Sequence, residues 1–316
     1  MTSLRSRTLL AVLLAFAGMA APAAARPRQA GVPAAAAPIV GIADQKPDFL
    51  SDPRFLALHL THARVSVAWD ALKSPWQTAE LDTWLAAARA DGVEPLVTFD
   101  RSRLPGLGRK LPSVARYAAQ FRAFRQRYPW IHDFSTWNEA NYCGQETCRN
   151  PELVARYYRA LKLACPSCRI LAADILDLPS MAVWIKRFMK VAGQPRYWGF
   201  HNYVTANRFQ VQRTKALLSL VKGEVWFTET GGLVARRNKS LIKLPQGTQH
   251  AAQVTRFILR TLAALSPRIT RIYLYHWDSQ TSKDSWDSGL VSSDGHARPA
   301  LGVLQTILKS SPLRRR

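Results

Sequence analysis

The sequence predicts an α/β protein that consists of a single (β/α)8 TIM barrel. Eight short runs of apolar, aromatic and β-branched residues alternate with longer amphipathic stretches along the chain. Such an alternation within one domain indicates a parallel sheet, and eight units close naturally into a barrel. An open doubly wound sheet is the competing arrangement, but no Gly-x-Gly-x-x-Gly motif follows the first run.

Each predicted strand is rich in residues that favour an extended backbone. In chain order the eight strands are Pro38–Ala43, Ala63–Trp69, Glu94–Phe99, Asp133–Trp137, Arg169–Ala173, Tyr197–Tyr203, Glu224–Thr228 and Arg271–Trp277. The carboxyl ends of parallel barrel strands meet at one rim, and active sites of such barrels lie there.

The stretches between the strands carry apolar residues at helical spacing. One stripe, at i, i+3, i+4 and i+7, consists of Leu81, Trp84, Leu85 and Ala88. Asn150-Pro151-Glu152 is typical of a helix start. An N-cap residue precedes proline in the first turn, and an acid follows near the positive end of the helix dipole.

The two ends of the chain are predicted to lie outside the barrel, which we expect from residue 38 to 310. Residues 1–25 combine two arginines, an apolar stretch and Ala23-Ala24-Ala25, which predicts a secretory signal peptide cleaved near Ala25. An uncleaved membrane anchor is the alternative, but the apolar stretch is short for a bilayer. Residues 26–37 form an Ala/Pro-rich leader and residues 311–316 a basic tail. We therefore expect a secreted or cell-envelope-associated protein.

The composition is strongly basic, with a formal net charge of +23. Removal of the predicted signal peptide takes away Arg5 and Arg7 and no acid, which leaves +21. This charge favours association with anionic envelope polymers or lipids. The basic residues are scattered over most predicted helices, so the sequence indicates no specific nucleic-acid site.

Four cysteines occur as Cys143-x4-Cys148 and Cys165-x2-Cys168. In an exported protein disulfides are favoured over zinc, which stays as the alternative. Three pairings are possible, and the local one, Cys143–Cys148 with Cys165–Cys168, is favoured because both pairs fall in predicted loops. Each small loop would add only about 2 kcal/mol of stability.

Carboxylates, amides and aromatic residues collect where the predicted strands end, a mixture suited to sugar rings and their hydroxyl groups. These residues are Asp44, Trp69-Asp70, Phe99-Asp100, Asn138-Glu139, Asp174, Asp177, Glu229 and Trp277-Asp278. His201 and Tyr203, two positions apart, are expected on one face of the sixth strand.

Two of these carboxylates, Glu139 and Glu229, each follow a buried apolar run. A carboxylate in such a place is costly unless something pairs or uses it. Two of them on separate strands predict the acid and the nucleophile of a sugar-cleaving enzyme. The alternative is that either glutamate only pairs an arginine at the barrel rim.

At these positions the chain resembles glycoside hydrolase clan A, the retaining (β/α)8-barrel glycosidases, over the whole barrel, roughly residues 38 to 308. The resemblance implies that Glu139, which follows Asn138, is the acid/base and that Glu229 in Phe-Thr-Glu-Thr-Gly is the nucleophile. It also implies roles at three neighbouring strands. Arg64 is similar to an arginine that contacts the nucleophile, His201-Asn-Tyr203 to a motif whose tyrosine orients it, and Trp277 to a tryptophan that floors the cleavage subsite.

In that chemistry Glu229 attacks the anomeric carbon while Glu139 protonates the departing oxygen and later activates water. Arg64 and Tyr203 would keep Glu229 ionised, whereas apolar neighbours such as Trp137 would leave Glu139 protonated for longer. Asn138 can bind the sugar 2-hydroxyl.

Two residues depart from the patterns common in this clan. Ala140 stands where cellulase-like families usually have proline after the acid/base, and Phe99-Asp100 stands where many have a histidine. Both departures leave the family and the sugar open.

Other positions are expected to play lesser roles or remain open. Trp69, Trp76, Tyr142, His276 and Trp286 could stack on further sugar rings or pack structurally, with Tyr142 favoured. Asp174 and Asp177 either line the cleft or help to start the next helix, near Ser180. The loop from Gly231 to Gly247 could cover the cleft and favour an anionic glycan, or be mobile. We expect no cofactor and no catalytic metal.

Three functions are consistent with these residues: a secreted retaining glycosidase, a transglycosylase with the same first step, and a non-catalytic carbohydrate-binding envelope protein. The pair of glutamates argues against the last, because a binder has no need of two such carboxylates. The expected partners are a poly- or oligosaccharide and the anionic envelope, and the chain is expected to be a monomer.

Overall fold

The computed structural model describes residues 37–237 and 242–310, and these form one closed barrel surrounded by helices. The barrel strands, all parallel to their neighbours, are β1 (Ile39–Ala43), β2 (His62–Ala68), β3 (Glu94–Asp100), β4 (Asp133–Ser135), β5 (Arg169–Leu176), β6 (Tyr197–His201), β7 (Glu224–Thr230) and β9 (Ile269–Tyr275). The predicted (β/α)8 barrel is confirmed.

Helices cover the outside of the barrel. In chain order they are α1 (Pro53–Leu56), α2 (Pro75–Ala90), α3 (Val114–Arg127), α4 (Pro151–Ala164), α5 (Met181–Ala192), α6 (Tyr203–Asn207), α7 (Gln212–Leu220), α8 (Thr248–Phe257) and α9 (Pro299–Ser310). A π-helical turn at Ile258–Leu262 continues α8. The predicted stripe Leu81, Trp84, Leu85 and Ala88 is buried on α2, and α4 begins at Pro151 after Asn150.

Four strands end earlier than the sequence predicts: β2 by one residue, and β4, β6 and β9 by two residues each. β4 ends at Ser135, because the chain turns out of the sheet toward Glu139. β6 ends at His201 and not at Tyr203, because Tyr203 begins the short helix α6. The carboxylate of Asp177 accepts hydrogen bonds from the backbone N–H groups of Val204 and Thr205, at 3.2 and 2.6 Å. These are free donors at a helix start, so their satisfaction favours the helical turn over continued strand.

Two apolar layers hold the barrel together. The larger lies between the sheet and the helices. The smaller lies inside the barrel and contains Ala43, Leu96, Leu171, Trp226 and Tyr273. Residues in register on neighbouring strands share a face, and the register Ala43–Arg64–Leu96 therefore places the Arg64 side chain inside the barrel with this layer.

An ion cluster closes the amino-terminal end of the barrel. Asp133 on β4 binds Arg169 on β5 at 2.5 Å and also binds the buried guanidinium of Arg271 on β9. The Arg271 guanidinium lies 3.9 Å from the centre of the Trp226 ring, within the range of a cation–π contact. This cluster lies at the end of the barrel opposite Glu139 and Glu229, so it bears on stability.

Two short strands outside the barrel join two loops at the carboxyl-terminal rim. β8 (Ala235–Arg236) pairs antiparallel with β10 (Trp286–Asp287). This pairing ties the segment after β7 to the segment after β9, and it forms one wall above the barrel.

Both local disulfides, Cys143–Cys148 and Cys165–Cys168, are present, with Cα atoms 4.9 and 5.4 Å apart. The first closes the loop that carries Tyr142, and the second closes the turn between α4 and β5. Within residues 37–237 and 242–310, no helix is long and apolar enough to cross a membrane. The predicted signal peptide, leader and basic tail lie almost wholly outside the described residues.

We expect Asp133→Ala to lower the free energy of unfolding by about 3–5 kcal/mol, because it leaves the buried Arg271 guanidinium unpaired. Urea denaturation followed by tryptophan fluorescence would measure the change. A matched control is Asp82→Ala, which removes an exposed partner of Arg127 and should cost less than about 1 kcal/mol. Equal losses in the two variants would contradict the structural role given to Asp133.

Candidate active site

The two glutamates singled out in the sequence converge at the carboxyl-terminal rim. Glu139 lies just beyond β4 and Glu229 lies near the end of β7. One carboxylate oxygen of each, together with a ring nitrogen of His201, falls within a group whose members are no more than 4.8 Å apart. The Glu139 side chain is 26% exposed and the Glu229 side chain 11%, so both can be reached from the cleft.

Arg64 on β2 lies beneath this pair and is fully buried. Its guanidinium donates to Glu229 Oε1 at 2.5 Å, to Asp174 Oδ2 at 2.7 Å and to Asn138 Oδ1 at 2.8 Å. Burial alone would lower the pKa of Arg64, but the effect of the two carboxylates is larger and raises this pKa above its ordinary value. The charge is therefore permanent, and it holds Glu229 in place.

Asp174 on β5 completes the buried ion pair. Besides Arg64, it accepts hydrogen bonds from Ser135 Oγ at 2.7 Å and Thr98 Oγ1 at 3.1 Å. Burial opposes ionisation of Asp174, but Arg64 and His201 lower its pKa well below the ordinary range. Of the two roles left open for Asp174, neither applies, because it lies under the cleft as the partner of Arg64.

A glycine makes room for this carboxylate. A Cβ atom on Gly199 would lie 1.9 Å from Asp174 Oδ1, far inside any real contact distance. Gly199 stands on β6 opposite Asp174 in the register of the sheet. The absence of a side chain at this position is thus a requirement of the ion pair.

His201, at the end of β6, lies between the two glutamates. Its Nδ1 is 3.3 Å from Glu139 Oε1 and 3.7 Å from Glu229 Oε2, and its Nε2 is 3.5 Å from Asp174 Oδ2. Burial alone would lower the pKa of His201, but the three surrounding carboxylates raise it to about 9. The imidazole therefore carries a positive charge at neutral pH.

Tyr203 reaches the same carboxylate from the first turn of α6. Its hydroxyl donates to Glu229 Oε2 at 3.3 Å. Burial, and then the charge of Glu229, raise the pKa of Tyr203 well above its ordinary value, so the phenol keeps its proton as a donor. The predicted contacts of Glu229 with Arg64 and Tyr203 are both present, although Tyr203 lies on a helix rather than on the strand.

The backbone at Glu139 has an unusual conformation, with φ of 46° in the left-handed region. Such a conformation in a non-glycine residue costs of the order of 1–3 kcal/mol and needs support from its surroundings. The N–H of Ala140 donates to the carbonyl of Asp174 at 3.0 Å, and the N–H of Tyr142 donates to the carbonyl of Glu139 at 2.8 Å. Both bonds hold the turn that presents Glu139.

These bonds explain why Ala140 departs from the proline found in cellulase-like families. Proline has no N–H to donate to Asp174, and it would restrict Glu139 to extended conformations. In this chain the turn after β4 depends on the N–H of Ala140 and on the left-handed conformation of Glu139, and proline at position 140 would remove both. Asn138, the residue before Glu139, is held in turn by Arg64 and by Asp100, which accepts its amide at 3.3 Å.

A cleft of about 790 Å³ opens above the two glutamates, which is within the usual range for ligand sites. Of the predicted site residues, Asn138, Glu139, Tyr142, Tyr203 and Glu229 line it, while Arg64 and His201 lie directly beneath. Tyr142 is 48% exposed and the Cys143–Cys148 loop carries it. Trp286 also lines the cleft and packs edge-on against Tyr203, with ring centres 4.8 Å apart.

The loop after β7 contributes part of the wall. Arg236, Ile242 and Leu244 line the cleft, and the Arg236 guanidinium lies 5.2 Å from the centre of the Trp286 ring. The part of this loop that the structure describes therefore borders the cleft. Residues 238–241 of the same loop lie outside the described residues.

Two predicted site residues, Asp44 and Trp277, form a structural pair outside the lining of the cleft, so the expectations for both were wrong. Trp277 is 2% exposed, packs against Phe55 and donates its indole N–H to Asp52. Asp44 accepts the backbone N–H of Trp277 at 3.0 Å. The reason is that β9 ends at Tyr275, so the alternation that would turn Trp277 toward the cleft stops before it. Tyr275 lines the cleft instead.

Trp69 is also placed in the core, where it packs against Tyr117, so its predicted role in sugar stacking was wrong. Trp76 is 52% exposed but lies outside the lining of the cleft, and His276 is buried. Asp177 lines the cleft, which is one of the two roles left open for it, but it caps α6 and not the next helix, α5. Burial raises the pKa of Asp177 to about 6.

Sequence reasoning did not assign Tyr275 or Arg103, which line the cleft. Tyr275 could have been predicted from the sequence. Side chains alternate along a strand, and a tyrosine at the last strand position before a turn can therefore be expected to face the rim. Arg103 follows β3 in an irregular loop, where no sequence periodicity indicates the direction of its side chain.

The oxygen and nitrogen atoms of Glu139, His201 and Glu229 could in principle hold a metal ion, because they lie within 4.8 Å of one another. The charges argue against a divalent cation there. Arg64 already donates to Glu229 Oε1 at 2.5 Å and places a fixed positive charge beside the site.

No protein-family model and no curated protein sequence matches this chain, but solved structures do. A glucosidase from Croceicoccus marinus is 13% identical, with a TM-score of 0.63 over 87% of this chain and 68% of its own. An endo-1,4-beta-xylanase from Caldicellulosiruptor owensensis is 11% identical, with a TM-score of 0.62 over 87% of this chain and 100% of its own.

A family 39 glycoside hydrolase from Bacteroides cellulosilyticus is 14% identical, with a TM-score of 0.56 over 86% of this chain. This chain spans only 64% of the length of that protein. At such identities the similarity shows the fold. The expectation that the chain has the barrel fold of clan A glycoside hydrolases is confirmed.

The raised pKa of His201 predicts a pH dependence of stability. A histidine whose pKa is higher in the folded state stabilises the fold below its unfolded value of about 6.5. This stabilisation is lost as pH rises through about 9. We expect NMR titration of the imidazole to show a pKa near 9 and the melting temperature to fall between pH 6.5 and 9.

The His201→Gln variant is the control for this prediction. Its melting temperature should vary less over the same pH interval, because the group that releases the proton is gone. A titration of His201 at or below pH 6.5 in the wild-type protein would contradict the placement of its positive charge between the carboxylates.

Proposed function

We propose that this chain is a retaining glycoside hydrolase that cleaves a poly- or oligosaccharide by double displacement. The observation that carries the proposal is the pair Glu139 and Glu229, with carboxylate oxygens within 4.8 Å of one another at the barrel rim. Retaining enzymes hold their two carboxyl groups about 5–5.5 Å apart, whereas inverting enzymes need about 6.5–9.5 Å to admit a water. The spacing therefore favours retention.

The surroundings of each glutamate support different roles. Glu229 receives hydrogen bonds from the Arg64 guanidinium and the Tyr203 hydroxyl, which hold its carboxylate in the fixed position that a nucleophile needs. It would attack the anomeric carbon and form a glycosyl-enzyme. Glu139 is the more exposed of the two and stands at the edge of the cleft, where a leaving oxygen departs and water enters.

The charges of the site are consistent with this assignment. The buried cations Arg64 and His201 are both paired with Asp174 and Glu229, which avoids the cost of an unpaired buried charge. Glu139 is the more exposed carboxyl group, so it is placed to exchange a proton with a leaving group and with water.

The cleft supports a sugar as the substrate. Tyr142, Tyr275 and Trp286 offer aromatic surfaces, and Asn138 and Asp100 offer amide and carboxylate groups among them. Aromatic rings suit the C–H faces of a sugar, and forked polar groups suit its hydroxyls. The named neighbours in structure comprise a glucosidase and a xylanase, which supports a glycosidic bond as the target.

We expect Glu229→Ala and Glu139→Ala each to lower kcat by at least about a thousandfold on an activated aryl glycoside, because each removes a reacting group. Azide should restore turnover to Glu229→Gly and give the azido-sugar of inverted configuration. Glu224→Gln, at the opposite end of the same strand, is the matched control and should keep full activity.

Product analysis by NMR would show whether water or a sugar hydroxyl accepts the glycosyl group, and so whether hydrolysis or transglycosylation prevails. Full activity in Glu139→Ala or Glu229→Ala would overturn the proposal, and so would a product of inverted configuration from the wild-type enzyme.

We further propose that the protein acts after export and is retained on the anionic cell envelope by one wall of the barrel. The neighbouring helices α3, α4 and α5 carry ten basic residues and a single acid, Glu152. The basic residues are Arg116, Arg122, Arg125, Arg127, Arg156, Arg159, Lys162, Lys186, Arg187 and Lys190. Glu152 is already paired with Arg187, and Arg127 with Asp82. The exposed charge of this wall includes Arg116, Arg122, Arg156 and Arg159.

Retention on an immobilised anionic polysaccharide should fall as salt rises, because exposed charges are screened beyond about 10 Å at 0.1 M ionic strength. A variant with Arg116, Arg122, Arg156 and Arg159 changed to Gln should elute at lower salt than the wild type. A control with the same loss of charge changes Lys73, Lys215, Lys222 and Arg260. Equal elution of the two variants would contradict the assignment to this wall.

A further inference from the structure

A second pocket, here called the side slot, opens between the ends of β1 and β2 and continues from the cleft. Its volume is about 340 Å³, and it shares Gln45, Ser66 and Arg103 with the lining of the cleft. The slot exists because β1 leaves the sheet after Ala43 while β2 continues to Ala68. The gap between them leads to the buried side of α2.

Two buried polar side chains in the slot have no hydrogen-bond partner among the residues described. Gln77 on α2 is 4% exposed, and neither its amide nitrogen nor its oxygen is paired. Ser66 is 7% exposed, and its hydroxyl is likewise unpaired. A buried polar group without a partner costs about 1–3 kcal/mol, so these atoms require a ligand or ordered water in the slot.

The size of the slot favours something larger than one water. A single buried water needs only about 10–15 Å³ and two to four polar partners. The slot is many times larger, and aliphatic side chains of β2 and α2, among them Val67 and Leu81, form much of its wall. A ligand that fills it must combine an apolar face with hydroxyl or amide groups.

The polar groups of the slot indicate an uncharged ligand. The carboxamide of Gln77 offers two donors and an acceptor side by side, which suits adjacent hydroxyl groups. Three charged residues line the slot: Lys46, Glu80 and Arg103. Lys46 is already paired with Asp278 at 2.7 Å, and Arg103 and Glu80 have opposite charges, so neither an anion nor a cation is favoured overall. Gln45 accepts the backbone N–H of Ser66 at 3.1 Å, which orients its carboxamide at the junction with the cleft.

We propose that the side slot is a second sugar-binding subsite that holds a neutral, hydroxyl-bearing unit of the same chain whose glycosidic bond lies at Glu139 and Glu229. This inference rests on the proposed function. Ser66 and Arg103 border both cavities, so an oligosaccharide would pass from the cleft over Ser66 into the slot. Binding there would add affinity for longer substrates without contact with the reacting atoms.

The test is Gln77→Leu, which keeps the size of the side chain and removes both polar atoms. If the slot holds only solvent, replacement of an unpaired buried amide by leucine leaves stability equal or higher. If it binds sugar, the Kd for the tightest-binding neutral oligosaccharide of three to five units should rise about fivefold to twentyfold, as expected for one or two lost hydrogen bonds. Affinity for the matching monosaccharide should not change.

Calorimetry in the Glu229→Gln background, across gluco-, xylo-, arabino- and manno-oligosaccharides, measures these affinities without turnover. Gln126→Leu, on the exposed face of α3, is the matched control. Ser66→Ala should weaken binding of the same oligosaccharides, and a crystal soaked with one of them should show a sugar ring against Gln77.

Several results would overturn the inference: unchanged affinity in Gln77→Leu, an equal loss for the monosaccharide, no binding by any member of the panel, or ordered water alone in the slot beside an occupied cleft. Failure of the proposed function is a separate outcome. It would appear as full turnover in Glu139→Ala or Glu229→Ala, whatever Gln77→Leu does.

Discussion

The contact on which the site depends is the hydrogen-bonded ion pair between Arg64 and its two carboxylates, Asp174 and Glu229. A fully buried guanidinium is stable only if fixed acceptors replace the water that it loses. Here the acceptors come from β5, β7 and the turn after β4, where Asn138 binds the same group. One side chain thus sets the relative positions of three barrel segments, and Glu229 is held by a charge that does not titrate.

This arrangement imposes demands on residues that touch no ligand. Gly199 must lack a Cβ because Asp174 occupies the space. Ala140 must keep its N–H because the carbonyl of Asp174 accepts it, and that bond supports the strained turn at Glu139. The chain therefore departs from the proline of cellulase-like families at a point where its own geometry needs an N–H donor.

The two ends of the barrel have different roles: the amino-terminal end contributes to stability, and the carboxyl-terminal end carries the candidate active site. At the amino-terminal end, Asp133 binds Arg169 and Arg271 and seals the interior. At the carboxyl-terminal end, His201 adds a second positive charge between Glu139 and Glu229, and the rim residues are left open to the cleft. A barrel supports this division because parallel strands bring all their carboxyl ends to one face.

The barrel and the pair Glu139 and Glu229 followed from the sequence by itself, because alternating apolar periodicity and acidic strand ends are local signals. The partners Arg64, His201 and Tyr203 could also be predicted from the sequence, since each lies within or directly after a recognisable strand. The role of Asp174 and the positions of Trp277, Trp69 and Asp44 were decided only by tertiary structure. The reason is that the alternation of side chains between two faces holds only within a strand. β9 ends at Tyr275 and β6 at His201. Beyond those points the direction of a side chain depends on contacts with distant parts of the chain, such as Asp52 for Trp277 and Asp177 for α6.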